Sequence, residues 1–175
     1  MEWYDLLSDG YGRIIEVMER VLTGLEEEDL NWQPRPDANS IGWLAWHLTR
    51  QQDAQISSLT GEEQLWTKDG WCTKFNREAD PKDGGFGHTP EQVAAFKSPD
   101  IETLLAYTRA TVERSRDYFH TLSAADLDRE LDEPWFQPLP TVGVRLISIL
   151  DDSILHAGQA AYVRGLRQGK GWQKY

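Results

Sequence analysis

One segment near the end of the chain constrains the fold more than any other. Residues 142–167 carry apolar side chains around most of a helix circumference, and Gly169 marks where that helix should end. A helix with so little polar surface is expected to be mostly buried. Apolar residues also recur at spacings of three and four in residues 3–24, 40–60 and 99–122. Four long helices without an alternating strand pattern predict an all-α four-helix bundle.

The ends of the second helix are marked by Ser40, a good N-cap, and by Gly61, a typical C-terminal stop. Residues 61–99 mix Gly, Asp, Lys, Trp and Pro without a period. They are therefore predicted as a long loop between helices 2 and 3, with one short helix at 89–96. Long ordered loops in compact domains are often functional. We expect residues 1–175 to form a single helical-bundle domain.

Composition excludes several classes of protein. The formal net charge is −11, which argues against a nucleic-acid partner, because phosphate binding depends on clustered Lys and Arg. No apolar run approaches the length of a membrane span, and the acidic N-terminus does not resemble a signal peptide. The single cysteine, Cys72, excludes an internal disulfide. We expect a cytoplasmic protein with neither nucleic acid nor membrane as a partner.

A carboxylate and a histidine share one side of the last helix. Asp152 and His156 are four residues apart, so their side chains project in the same direction, with apolar neighbours above and below. A carboxylate and an imidazole in such surroundings need a partner. His47, at the edge of the apolar stripe of the second helix, can reach an adjacent helix. A divalent metal held by His47, Asp152 and His156 would satisfy all three side chains.

Other interpretations remain open for each residue. Asp151 offers a second carboxylate, although it points about 100° away from Asp152 on the helix. Asp152 is also placed to pair with Arg145, two turns earlier. His88 and His120 are interpreted as surface residues. Four tryptophans either wall a pocket or pack in the core, namely Trp43, Trp46, Trp66 and Trp71.

Two long segments carry a resemblance to a known family. They are PRPDANSIGWLAWHLTR, residues 34–50, and TVGVRLISILDDSILHAGQAAYVRGL, residues 141–166. Together with the four-helix layout, they resemble the DinB-like superfamily, and more closely its branch of mycothiol S-transferases and maleylpyruvate isomerases. The resemblance covers nearly the whole chain. It is most specific at the tryptophan-flanked His47 and at the H-x-G-Q segment that begins with His156.

The resemblance implies a metal site on the same residues. In that superfamily one ligand comes from the second helix, here His47, and two come from the last helix, here Asp152 and His156. Many members have histidine where this chain has Asp152, and the thiol-transferase-like branch tolerates a carboxylate there. The implied metal is zinc, with nickel as an alternative. The residues expected to hydrogen-bond the metal ligands or to contact the substrate are Gln159, Trp43, Gln51 and Arg145.

The implied function is that of a metal-dependent transferase or isomerase. It would activate a low-molecular-weight thiol such as mycothiol for attack on a small electrophile. One alternative is a metal-binding bundle that acts as a hydrolase or has no catalytic activity. Another is a structural or dimerising helical protein, in which Asp152 and His156 satisfy each other. The expected partners are the thiol and the electrophile, and a homodimer is left open.

Overall fold

The structure is a computed structural model that describes residues 1–173. Those residues contain eight α-helices and only one isolated antiparallel bridge, between Glu130 and Thr141. The helices are α1 (Trp3–Leu22), α2 (Glu27–Asn31), α3 (Ile41–Thr60), α4 (Leu65–Lys68), α5 (Trp71–Lys74), α6 (Pro90–Ala95), α7 (Ile101–Thr121) and α8 (Val142–Gln168).

The predicted all-α class is correct, but the predicted count of four helices and the long loop need correction. Alongside four helices of 20 or more residues, the described chain has four short ones. Three of these, α4, α5 and α6, lie within the segment 61–99, where one short helix was expected. Helices of four to six residues are too short to show a period, and they depend on tertiary contacts rather than on propensity.

The ends of the helices follow the capping residues in the sequence. The Ser40 side chain accepts a hydrogen bond from the Trp43 amide at 3.2 Å, and Gly61 ends α3 with a φ of 73°. Thr89 caps α6, and Pro90 occupies its first turn. The predicted starts and stops therefore place α3 and α6 to within a residue or two.

The four long helices pack with α8 against α3 and α1, and with α7 against α1 and α3. The expectation that α8 is mostly buried is only half right, because one of its faces is open to solvent. Six large apolar side chains on that face are between 48% and 70% exposed, namely Val144, Ile147, Ile154, Leu155, Tyr162 and Leu166. Within the described residues, no helix has the length and apolar character needed to cross a membrane.

Hydrogen bonds to a buried carboxylate hold the start of the 61–99 segment against the bundle. Asp53 of α3 is fully buried and accepts hydrogen bonds from the Leu65 and Trp66 amides at 3.0 and 2.9 Å. It also accepts from the Tyr107 hydroxyl at 2.7 Å and from Arg114 at 3.2 Å. These bonds satisfy the free amides at the start of α4, which explains why such a short helix is formed there.

Candidate metal centre

His47, Asp152 and His156 converge in the cleft between α3 and α8. Each offers one ligand atom, and the three atoms lie within 4.8 Å of one another. The two imidazole rings meet edge to face, with centroids 4.7 Å apart. His156 Nε2 lies 3.4 Å from Asp152 Oδ1. Among the described residues, this is the only group of three or more His, Cys, Asp or Glu side chains arranged to hold a metal ion.

The orientation of His47 is set by a loop carbonyl and a tryptophan. Its Nδ1 donates a hydrogen bond to the backbone oxygen of Gly84, and its ring stacks on Trp43 with centroids 4.6 Å apart and planes 14° apart. Because a carbonyl can only accept, the Nδ1 atom carries the proton. The lone pair of Nε2 is then free for a metal, which is the usual arrangement of a ligating histidine.

His156 is oriented in the same way by Gln159. Its Nδ1 lies 2.9 Å from Gln159 Oε1, one turn along α8. With the amide oxygen as acceptor, the proton of His156 is again on Nδ1, and Nε2 faces Asp152. Nε2 is therefore the atom that both imidazoles direct toward the candidate metal position. Gln159 thus contacts His156 directly.

Asp152 has one oxygen that no residue satisfies. Its Oδ2 is buried and has no hydrogen-bond partner among the described residues. A buried carboxylate oxygen without a partner is costly, and a metal ion would remove that cost. Asp151, the other carboxylate considered, is exposed on the outer face of α8. Arg145 does not pair with Asp152; it bonds to Glu133 instead.

The surroundings shift the pKa values of the two histidines in opposite directions. Burial lowers the pKa of His47, and the opposing effect of its bond to Gly84 is smaller. The side-chain hydrogen bond to Asp152 raises the pKa of His156, against an opposing effect of burial. His47 is therefore neutral at neutral pH and ready to ligate, whereas a metal must compete with a proton for His156.

The loop that holds His47 was not recognised from the sequence. Gly84 also accepts a hydrogen bond from Gln51 at 3.1 Å, so Gln51 supports the loop next to His47. Fully buried Arg50 donates to the backbone oxygens of Asp83 at 3.1 Å and Pro81 at 3.2 Å. The Gly-Gly pair at 84–85 was the available signal, because two adjacent glycines often mark a close backbone approach.

His88 is a correction to the sequence interpretation, because its side chain is only 11% exposed. Its Nδ1 accepts a hydrogen bond from Trp43 Nε1 at 3.3 Å, and its Nε2 lies 3.0 Å from Asp83 Oδ1. With both ring nitrogens engaged, His88 ties the loop to α3 rather than joining the metal site. His120 is exposed, as expected.

The four tryptophans divide between core and site. Trp46, Trp66 and Trp71 are buried, which is the core-packing interpretation. Trp43 is also buried, but it contacts both His47 and His88. Trp43 therefore packs on the candidate ligand His47 as well as in the core.

An apolar groove lies along α8 beside the metal site, although none of the three candidate ligands lines it. It has a volume of about 680 Å³, within the range of small-molecule sites. Gln159 is shared by the groove and by the hydrogen bond to His156. On the other side of the site, Arg145 donates to Gln55 at 3.1 Å. The groove is lined by Pro34, Ala38, Asn39, Leu44, Ile154, Leu155, Gly158, Gln159, Tyr162, Val163 and Leu166.

Comparison with known proteins identifies the family. The family model of the DinB superfamily matches residues 11–160, a span that includes His47, Asp152 and His156. The chain belongs to the DinB superfamily. A conserved protein from Enterococcus faecalis of known crystal structure is similar to it, with 32% identity and a TM-score of 0.89. That similarity covers 97% of this chain and 99% of the other. No curated protein matches the sequence.

DinB-superfamily membership agrees with the chemistry of the site. The superfamily is often metal-binding, and the donor set here is two imidazoles and one carboxylate. Zinc ligands lie at about 2.0–2.2 Å from the ion, so tetrahedral neighbours are about 3.4 Å apart. The three side chains would need to approach one another by on the order of 1 Å to reach that arrangement. The residues present therefore fit a divalent metal with three protein ligands.

Proposed function

We propose that this DinB-superfamily protein is a divalent-metal-dependent enzyme that activates a low-molecular-weight thiol for attack on a small electrophile, as a transferase or an isomerase. The observation that carries the proposal is the convergence of two Nε2 atoms and an unsatisfied carboxylate oxygen beside an apolar groove. A structural zinc site would normally be closed by a fourth protein ligand. His47, Asp152 and His156 supply only three.

The three side chains favour an anion at the open position. Two neutral imidazoles and one carboxylate leave a divalent site with a net charge near +1. A divalent ion held there would lower the pKa of a thiol or a water molecule at its open position. Gly84 and Gln159 would hold the two imidazoles in the orientation that this chemistry needs. Zinc suits this donor set, and nickel is the alternative.

The groove on one side of the metal site is apolar and the other side is polar, which suits an electrophile and a thiol respectively. Apolar groove walls would hold the carbon skeleton of an electrophile. Gln159 uses its amide oxygen on His156, so its amide nitrogen is left to donate to a ligand in the groove. Arg145 and Gln51, on the other side, offer polar contacts to the thiol. By resemblance to the S-transferase branch, the thiol we propose is mycothiol.

The test combines metal content with thiol consumption. The protein, purified without a histidine tag, should contain about one zinc or nickel per chain by elemental analysis. His156→Ala should lose the metal, whereas His120→Ala, which removes an exposed histidine, should keep it. The thiol assay should include mycothiol and other cellular thiols, with a chlorodinitroarene or monochlorobimane as electrophile.

The outcomes separate the alternatives. Chelator-sensitive consumption of one thiol above background supports the transferase. If metal is stoichiometric but no thiol supports turnover, the transferase fails, and a metal hydrolase or a non-catalytic metal protein takes its place. If neither metal nor turnover is found, the metal site itself is refuted.

A further inference from the structure

We propose that a second copy of this chain covers the exposed face of α8, forming a two-fold homodimer through α8–α8 contact. The face comprises the ten exposed residues of α8 between 144 and 166, and it is called the α8 face below. Its members are Val144, Ile147, Ser148, Asp151, Ile154, Leu155, Gly158, Gln159, Tyr162 and Leu166.

The α8 face is apolar to a degree that is unusual for solvent-exposed surface. Scattered exposed apolar residues are normal, but a contiguous apolar patch of this size marks an interaction site. Six of its ten side chains are large and apolar, and each is about half or more exposed. They span about 33 Å of helix at steps of three, seven, one, seven and four residues, which keeps all six on one side of α8, as helix–helix packing requires.

Charge indicates where two copies can meet. The chain carries a formal net charge of −11, so two copies repel each other over most of their surface. On the α8 face only Asp151 is charged. Two copies would therefore approach most easily along this face. A strongly acidic or basic partner would find few charges to pair with there.

The apolar area matches what a stable dimer needs. A standard interface buries about 800 Å² per partner, and about two-thirds of a homodimer interface is apolar, or roughly 500 Å². A fully exposed side chain of this size presents on the order of 150–200 Å². Six of them at about half exposure offer roughly 500 Å². This area matches a dimer in which the partner copy also covers the groove-lining side chains Ile154, Leu155, Tyr162 and Leu166.

A single helix can pair with its own copy around a two-fold axis. Gly158 has open space where a side chain would lie, which lets a partner helix approach the backbone closely. Ile154, Leu155 and Tyr162 belong to both the α8 face and the apolar groove. The partner copy would therefore form an outer wall of that groove, and the two metal sites would flank the interface.

Molar mass in solution tests the proposal. By light scattering after size exclusion, the natural chain should have twice the 20.1 kDa mass of one copy down to on the order of 1 µM. Ile147→Glu lies outside the groove and should give the single mass, with unchanged helical circular dichroism and unchanged metal content. Leu6→Glu is the matched control, because Leu6 is 64% exposed on α1. It should remain dimeric.

Cross-linking locates the interface independently. Asp151→Cys in a Cys72→Ser background should be joined by a bismaleimide, because residue 151 lies on the α8 face within about 6 Å, along the helix axis, of its midpoint at residue 155. Leu6→Cys in the same background should not be joined. A natural chain that is monomeric at about 100 µM overturns the proposal and leaves the face to another partner. A dimer that survives Ile147→Glu and is not cross-linked at residue 151 also overturns it. Unchanged metal content in Ile147→Glu keeps either failure distinct from a failure of the proposed function.

Discussion

Two glycines of one loop differ in what a side chain would meet, and this difference tests the support of His47. Gly85 and Gly87 both have positive φ, 86° and 76°. A Cβ atom at Gly85 would lie 2.8 Å from Trp43, 2.9 Å from His47 Nδ1 and 2.9 Å from Trp46. A Cβ atom at Gly87 would meet nothing within 4 Å. Gly85→Ala should therefore displace the loop, whereas Gly87→Ala should only strain it.

The expected magnitudes follow from these contacts. Alanine at a left-handed position costs about 1–2 kcal/mol, and this cost is common to both variants. At residue 85 the three rings are buried and cannot yield, so overpacking adds about 1–3 kcal/mol. The Gly85→Ala variant should therefore lose about 2–5 kcal/mol of unfolding free energy, and Gly87→Ala about 1–2 kcal/mol. Loop displacement also breaks the bond from His47 to Gly84, which should weaken metal binding by about 10–100-fold.

The assay measures stability and metal affinity on the same two variants. Urea unfolding followed by tryptophan fluorescence gives the free energy, and competition with a chromophoric chelator gives the zinc affinity. Gly87→Ala is expected to bind zinc like the natural chain. Equal effects of the two substitutions on zinc affinity would refute the reasoning, because the close packing of Gly85 on His47 would then have no part in the site.

Two further predictions concern buried and half-buried carboxylates. Asp53→Ala should lower the unfolding free energy by about 3–5 kcal/mol in denaturant titration, because it leaves Arg50 and Arg114 without their buried partner. Asp9→Ala, in an exposed pair, should change it by less than about 1 kcal/mol. Burial raises the pKa of Asp83, but Arg77 and His88 outweigh it, and the pKa falls below the usual 3.8. Its charge therefore stabilises the fold above pH 3.8, and the gap between the natural chain and Asp83→Asn should shrink as pH falls below that value.

The long helices could be predicted because many residues repeat the same signal. In α3, Ser40, Gly61 and the apolar period all indicate the same boundaries. The short helices could not be predicted, because α4 depends on Asp53, twelve residues before Leu65. The exposure of the α8 face could not be predicted either. Periodicity shows that a side chain is apolar, but not whether a second element covers it.

The candidate site was predictable only in part, because the sequence displays local spacing but not contacts between distant segments. The i, i+4 spacing of Asp152 and His156 is local, so the sequence displays it directly. The placement of His47 opposite them required the resemblance to a family. The carbonyl of Gly84 and the Arg50 contacts were missed, because a backbone acceptor 37 residues from His47 has no residue-type signature.

Asp152 offers the sharpest distinction between a metal site and a structural ion pair. If Asp152 and His156 merely satisfy each other, Asp152→Asn should destabilise the metal-free protein. If Asp152 is a ligand, the metal-free protein should change by less than about 1 kcal/mol, because its contact with His156 is long and its other oxygen is unpartnered.

The metal-dependent part of the stability gives the complementary result. Zinc at 100 times its dissociation constant should stabilise the natural chain by about 2.7 kcal/mol. A 100-fold loss of affinity in Asp152→Asn would reduce that increment to about 0.4 kcal/mol at the same zinc concentration. Asp151→Asn is the matched control, because Asp151 is the exposed neighbour and should leave the increment unchanged. Thermal unfolding with and without zinc measures both quantities. A large loss of metal-free stability together with an unchanged zinc increment would show that the carboxylate of Asp152 is structural. The thiol chemistry proposed for the cleft would then lack one of its three metal ligands.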